Sequence, residues 1–207
     1  MSDVSRKDHW ETVYTTKGEN EVSWFQENPA PSLDLLELAR PTYHSAIVDI
    51  GGGASRLVDI LVARGFDRVT VLDLSEAALA VAKTRLGDAG KAVQWVAADV
   101  TRWHPDQIYD VWHDRAAFHF LTDAGDRIAY VERLKRATKI GSHVIIGTFA
   151  LDGPEKCSGL AVQRYDSNSL SAELGVGFEL IHSQADEHST PWDSTQRFQF
   201  SVFRRTA

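Results

Sequence analysis

Cysteine is almost missing from this chain: Cys157 is the only one in 207 residues. No intrachain disulfide can form, so a packed core must hold the fold, which fits a reducing compartment. Positive charge is not in excess. The chain carries 22 Lys and Arg against 29 Asp and Glu, a net charge of −7. A general nucleic-acid binder needs a basic face, so that class is disfavoured, although a local basic patch is still allowed. No stretch approaches the ~18 consecutive apolar residues of a membrane helix. The opening MSDVSRKDHWETVY lacks the apolar segment of a signal peptide. There is no repeat, no low-complexity tract, no metal-ligand spacing and no Walker-type Gly-Lys-Ser/Thr. These absences leave a cytoplasmic protein with no membrane or nucleic-acid partner and no metal. Nothing in the composition fixes its oligomeric state.

The 43% of hydrophobic residues suffice for one substantial core, and a single domain over 1–207 is expected. Its middle alternates two patterns. Short apolar runs at 46–50, 68–72, 93–97, 109–113 and 141–149 read as strands. Stretches 55–64, 75–86 and 122–138 have helical spacing. Gly65 stands where a helix C-cap would, and Ser75 where an N-cap would. Such alternation predicts an α/β fold with a mostly parallel sheet covered by helices on both faces. Residues 1–45 are rich in aromatics and read as a helical cover, with Pro29 and Pro31 breaking or starting a helix. Residues 46–150 form the binding core. Within 151–207, a loop and a helix at 167–174 precede FELIHS and QRFQFSVFRR, which together predict an appended antiparallel β-hairpin.

The informative stretch is VDIGGGASRL, residues 48–57. In an open parallel sheet, ligands bind beyond the carboxyl ends of the strands, where strand order reverses. Asp49 and the glycines Gly51 and Gly53 fall there. Glycine permits positive φ and close approach of the backbone to a ligand, but three glycines alone also describe a plain turn. The next strands add weight. VTVLDLS carries Asp73 and Leu74 about 20 residues further on, where an acid can hold ribose hydroxyls. VQWVAADV ends in Asp99 and Val100, placed for an adenine amino group. An acid beside the glycine loop suits a cationic ligand better than a pyrophosphate. S-adenosylmethionine, with its sulfonium, ammonium and ribose, meets that description.

With these motifs the chain resembles the class I S-adenosylmethionine-dependent methyltransferases. The likeness implies a Rossmann-like fold of seven strands, five plus the C-terminal hairpin, and implies that cofactor. Ser55 departs from the glycine many members carry. A narrower likeness links HWETVY, VSWF, WHDRAAFHF, DRIAYVERL and DGPEKCSGLAV to thiopurine and other thiol S-methyltransferases, whose N-terminal aromatics close over cofactor and substrate. It implies that Trp10, Tyr14 and Trp24, with Phe25, form a lid over the cofactor. It also implies a small thiol or hydrosulfide as methyl acceptor. Some protein lysine methyltransferases share a similar N-terminus, with an Asp-Lys-Gly-like motif where this chain has Asp114-Arg115-Ala116. That branch stays open, as does a non-catalytic cofactor-binding protein on the same fold.

Four residues at or just past the fourth strand are catalytic candidates. Asp114 is placed to contact the methionine ammonium or position substrate. Arg115 is placed to attract an anionic substrate or lower a thiol pKa. His113 and His119 are candidate proton acceptors. Each has a structural alternative: an Asp114–Arg115 pair, or a histidine ring packed in the sheet. Cys157 and His143 are read as structural. His188 and Trp192 fall in the expected hairpin turn.

Overall fold

The computed structural model describes residues 3–207, with side chains from Arg6 onward. The first two residues of the expected N-terminal cover lie outside the described residues. Two helices, α1 (Asp3–Thr16) and α2 (Ala30–Ala39), precede the alternating region. That region runs β1 (Ile47–Ile50), α3 (Leu57–Ala63), β2 (Val69–Asp73), α4 (Glu76–Leu86), β3 (Gln94–Ala97), β4 (Tyr109–Arg115), α5 (Ala124–Ala137) and β5 (Thr138–Phe149). A miniature hairpin follows, β6 (Lys156–Cys157) and β7 (Leu160–Ala161), then α6 (Ser167–Leu174), β8 (Phe178–Ser189) and β9 (Thr195–Arg205).

Seven strands form one sheet in the order β3-β2-β1-β4-β5-β9-β8. The pairings among β1 to β5 are parallel, and β9 runs antiparallel to both β5 and β8. The Rossmann-like sheet with its C-terminal antiparallel pair is therefore present. Strand order reverses between β1 and β4, so the crevice at their carboxyl ends is where a ligand belongs.

Strand alternation decides what faces that crevice. Ile47 of β1 and Val111 of β4 pack with Leu33, Leu36, Leu57 and Leu61 of α2 and α3. By the same parity Asp49, His113 and Arg115 lie on that face. Val48, Ile50 and Trp112 pack against the other layer, with Tyr130 and Leu134 of α5 and Leu170 of α6. Asp114 shares that second face.

Several boundaries differ from the pattern-based expectation. β4 does not stop at His113, because β5 goes on pairing with it at Asp114↔Ile146 and Arg115↔Gly147. β5 starts at Thr138, so α5 ends at Ala137, and Asp123 caps it through the amide of Gly125 at 2.7 Å. The helix expected over 55–64 is confined to Leu57–Ala63, with Arg64 as its C-cap and Gly65 following at φ +87°. Ser75 caps α4 as expected, its hydroxyl accepting from the amide of Ala78 at 3.1 Å. β8 continues through Ser189, which puts His188 in the strand and leaves Trp192 in the turn, 57% exposed. The β6–β7 hairpin is too short to leave a periodic signature.

Candidate active site

The carboxyl ends of β1 and β2 frame a cavity. Gly51, Asp73, Leu74, Asp99 and Val100 line it from the strand-end loops, and Trp10, Tyr14 and Trp24 from the N-terminal segment. A smaller cavity adjoins it and is lined by Asp49, Ser32 and His113. Tyr14, Trp24, Gly51 and Arg115 border both.

The glycines are steric requirements. Gly51 and Gly53 have φ of +67° and +36°, in the left-handed region. A Cβ on Gly51 would stand 2.7 Å from the Cβ of Ala117, and one on Gly53 2.6 Å from Asp73 Oδ2. A Cβ on Gly52 would stand 2.5 Å from Asp49 Oδ2. The loop thus packs its bare backbone against two carboxylates. Ser55 serves the start of α3, its hydroxyl accepting from the amide of Leu57 at 3.1 Å.

Those carboxylates fit a cationic ribonucleoside. Asp49 accepts from His113 Nδ1 at 2.7 Å through Oδ1, while its buried Oδ2 has no partner. A free carboxylate oxygen beside the smaller cavity suits an ammonium. Asp73 accepts from the amide of Ser75 at 2.8 Å. Burial, joined by the charges of Asp49 and Glu11, pushes its pKa up to about 7 against the opposing Ser75 amide. Hydroxyl donors or a positive charge from a ligand would relieve that cost. Asp99 Oδ1 accepts from the amide and hydroxyl of Thr101 at 2.8 and 2.7 Å, and its Oδ2 lies 3.5 Å from Arg6.

The cover is a docked helix. Glu11 of α1 accepts from the amides of Glu76 and Ala77 at 2.6 and 3.1 Å, and from the Ser75 hydroxyl at 3.2 Å. It therefore caps the N-terminus of α4 from another element, placing a carboxylate at the positive end of the helix. Arg6 pairs with Asp126 at 3.0 Å, and His9 Nε2 meets Ser158 Oγ at 3.0 Å in the β6–β7 turn. Trp24 Nε1 donates to the Tyr14 hydroxyl at 2.9 Å, and Trp10 packs edge-on to Trp24 and Phe120 at 5.5 and 5.0 Å. The connector is tied as well: Glu19 pairs with Arg56 and with Arg85, the latter at 2.6 Å. Phe25 borders the smaller cavity, beneath Arg56.

The four catalytic candidates separate. Arg115 borders both cavities; its Nη1 donates to the Trp24 carbonyl at 2.9 Å and its guanidinium lies 5.0 Å above the Phe198 ring. Burial draws its pKa down to about 10. Asp114 borders neither cavity, because the pleat turns it to the opposite face. There it accepts from the Tyr130 hydroxyl at 2.7 Å and the amides of Ala117 and Phe118 at 2.9 and 3.1 Å. It neither pairs with Arg115 nor reaches the region expected for the methionine ammonium. His113 borders the smaller cavity, but both its ring nitrogens are engaged, the second by Ser32 Oγ at 2.9 Å. His119 is fully buried among Phe120 and Phe149, with Nδ1 accepting from the Phe149 amide at 3.3 Å. Burial and then Arg115 pull its pKa down to about 3.

Cys157 borders the main cavity, its thiol pushed up by burial to about 11. His188 donates to the Ser23 carbonyl at 2.7 Å and holds the connector against β8. Sequence reasoning missed Arg6, Ser32, Ala116, Ala117 and Phe120. Only Ala116 and Ala117 had a usable signal, since they directly follow the end of β4; Ala116 takes φ +69° to turn the chain past the cavity.

Residues 47–141 match the family described as the methyltransferase domain. Trans-aconitate 2-methyltransferase from Yersinia pseudotuberculosis serotype O:1b (strain IP 31758) is 34% identical over 98 residues, covering 47% of this chain and 36% of that protein. The chain therefore aligns with well under half of that curated relative's length. Among solved structures, N-methyltransferase NodS from Bradyrhizobium japonicum WM9, in complex with S-adenosyl-L-homocysteine, is similar with a TM-score of 0.71 at 15% identity, covering 100% of both chains. A chain from work on the conversion of a disulfide bond into a thioacetal group during echinomycin biosynthesis gives a TM-score of 0.75 at 17% identity, covering 97% of this chain and 91% of that one. Residues 47–141 thus match a methyltransferase domain within a Rossmann-like methyltransferase fold, and the strand-end carboxylates fit S-adenosylmethionine as cofactor. The matched segment holds the loops after β1, β2 and β3 and stops short of β6 to β9. Among the described residues, no helix is long and apolar enough to cross a membrane.

Proposed function

We propose that the chain transfers a methyl group from S-adenosylmethionine to a small soft nucleophile, a thiol or hydrosulfide, in the cytoplasm. The observation that carries this reading is an aromatic-roofed cavity lined by Arg115, with both nitrogens of His113 engaged and His119 outside the lining. An acceptor that ionises unaided fits such a wall. A thiol near pKa ~8.5 does so; a lysine amine near ~10.4 needs a base. This weighs against the protein lysine alternative, as does the roof of Trp10, Tyr14 and Trp24. The structurally similar chain from the disulfide-to-thioacetal work supports chemistry at sulfur.

When bound, the cofactor supplies an electrophilic methyl and a neutral leaving group. In our reading Asp73 holds its ribose, Asp49 Oδ2 its ammonium, and Asp99, Leu74 and Val100 frame the adenine. Gly51 and Gly53 let the backbone approach. The aromatic roof excludes water and fixes the line of attack. Arg115 favours the anionic form of the acceptor. His113, with Ser32, positions Asp49; Asp114 and His119 position the turn that carries Ala116 and Ala117.

Methylation of a small carboxylate is a second reading, favoured by the trans-aconitate relative and equally free of any need for a strong base. A turnover screen across hydrosulfide, alkyl and aryl thiols, thiopurine, small di- and tricarboxylic acids and a protein extract, read by mass spectrometry, tests both. Methylated thiols are expected. Labelling of lysine in the extract without any thiol product would overturn the assignment, and cofactor binding without turnover on any acceptor would favour a non-catalytic role.

A further inference from the structure

We infer that the acceptor carries a carboxylate, and that the Nε–Nη2 edge of Arg115 anchors it. The inference rests on the methyl transfer proposed above, but not on sulfur being the atom methylated.

A guanidinium has five N–H donors in a planar fork. Nη1 of Arg115 uses one on the Trp24 carbonyl at 2.9 Å. Nε and Nη2 are shielded from bulk solvent and have no hydrogen-bond partner. Among the described residues no carboxylate lies within ion-pair distance of them. Other arginines around the cavities are treated differently. Arg56 of the smaller cavity is held by Glu19, and Arg6 of the main one by Asp126 at 3.0 Å. A shielded cation without a counter-ion is costly to a fold. Arg115 borders both cavities, and an acceptor anion that displaces the packing over Nε and Nη2 would complete the charge.

The geometry selects the anion. Nε and Nη2 form the side edge of the fork, whose two parallel N–H groups match the two oxygens of a carboxylate. A single sulfur anion can use only one of them well. The Phe198 face, 5.0 Å from the guanidinium, and the Trp24 carbonyl fix the plane of the fork. Asp186 of β8 and Asp49 act on Arg115 only through space. Cys157 on the cavity wall stays a neutral thiol, so it does not compete for the charge.

The test is calorimetric titration of the enzyme saturated with S-adenosylhomocysteine. The probes are succinate, tricarballylate, phenylacetate and 3-mercaptopropionate, each beside its methyl ester. At least one acid should bind about tenfold or more tighter than its ester. Arg115→Gln should remove that preference, and Arg115→Lys, a point charge without the fork, should restore only part of it. Unchanged S-adenosylhomocysteine affinity in both variants shows that they are folded. Undetectable binding of every acid, equal affinity for acid and ester, or a preference surviving Arg115→Gln overturns the anchor. Turnover separates this from the sulfur reading. Equal kcat/KM for 3-mercaptopropionate and its ester removes the anchor and keeps sulfur. Arg115-dependent binding of the acids with no thiol methylated keeps the anchor and removes sulfur.

Discussion

Asp73 and Arg115 both line one cavity, and their surroundings are assembled differently. Asp73 finds its partner two positions along the chain, at the Ser75 amide, just as Asp99 finds Thr101. Arg115 meets Trp24 and Phe198, which lie near opposite ends of the sequence. The proposed cofactor wall is made from short-range turns at strand ends. The acceptor wall is made from whatever the N-terminal cover and the terminal hairpin bring to β4. Adjacent residues sharpen the contrast. Asp114 has its donors supplied by the fold, whereas Arg115 keeps two donor nitrogens that the fold leaves unmatched.

The largest expected effect breaks that contrast at its boundary. Asp114→Ala would leave the Tyr130 hydroxyl and the Ala117 and Phe118 amides without their acceptor. At about 1–3 kcal/mol for each buried unsatisfied group, the loss in unfolding free energy should be about 3 kcal/mol or more. Arg115→Leu should cost less than about 1 kcal/mol, since it removes an incompletely paired charge. Urea denaturation of both variants measures this, and equal losses would erase the distinction between a fold residue and a site residue.

On the cofactor wall, Asp73→Ala should weaken S-adenosylmethionine binding by about tenfold or more, the loss of a charge-assisted contact worth roughly 1.5–3 kcal/mol. Arg115→Gln should leave that affinity nearly unchanged. Calorimetry on the two variants shows whether the walls are separable.

A smaller effect concerns pH. The pKa of Asp73 near 7 means that the free protein is largely protonated there at pH 6 and ionised at pH 9. Hydroxyl donors and positive charge favour the ionised form, so binding lowers that pKa. Cofactor binding should release protons at pH 6 and almost none at pH 9. Affinity should rise from pH 6 to 8 by about three- to tenfold and then level off. Titrations in buffers of different ionisation enthalpy detect the proton, and Asp73→Asn should flatten the profile.

The contrast also explains what was legible in the sequence. Short-range turns write themselves into contiguous residues, which is why the glycine loop, Asp73, Asp99 and the Ser75 cap could be read directly. The acceptor wall could not be read this way. Ending the fourth strand at His113 made Asp114 and Arg115 look like neighbours in a loop, both facing the ligand. Because β5 holds them in the strand, the pleat sends them to opposite faces. Ser32 carries no motif, and only the tertiary fold sets it against His113 Nε2. His119, read as a proton acceptor just past the fourth strand, sits in a 3₁₀ turn packed against Phe149.

The smallest expected effect is in the cover. Glu11→Gln removes a charge from the N-terminus of α4, worth about 0.3–1 kcal/mol. Hydrogen exchange over residues 9–25 should quicken in the variant and slow again when cofactor is added. Equal protection with and without cofactor in the unaltered protein would make the cover an ordinary packed segment.

That same contact gives turnover a timetable. Glu11 clasps the first turn of α4, immediately beyond Asp73, so the clasp and the nucleoside seat are neighbours. In the proposed turnover, a bulky product seated beneath Trp10 and Tyr14 leaves only when that roof parts, so the clasp is expected to open once per cycle. Its opening rate is then a ceiling on kcat, independent of how fast the methyl moves. A first turnover faster than those that follow is the kinetic trace of such a gate, and loosening the clasp would narrow the gap between them.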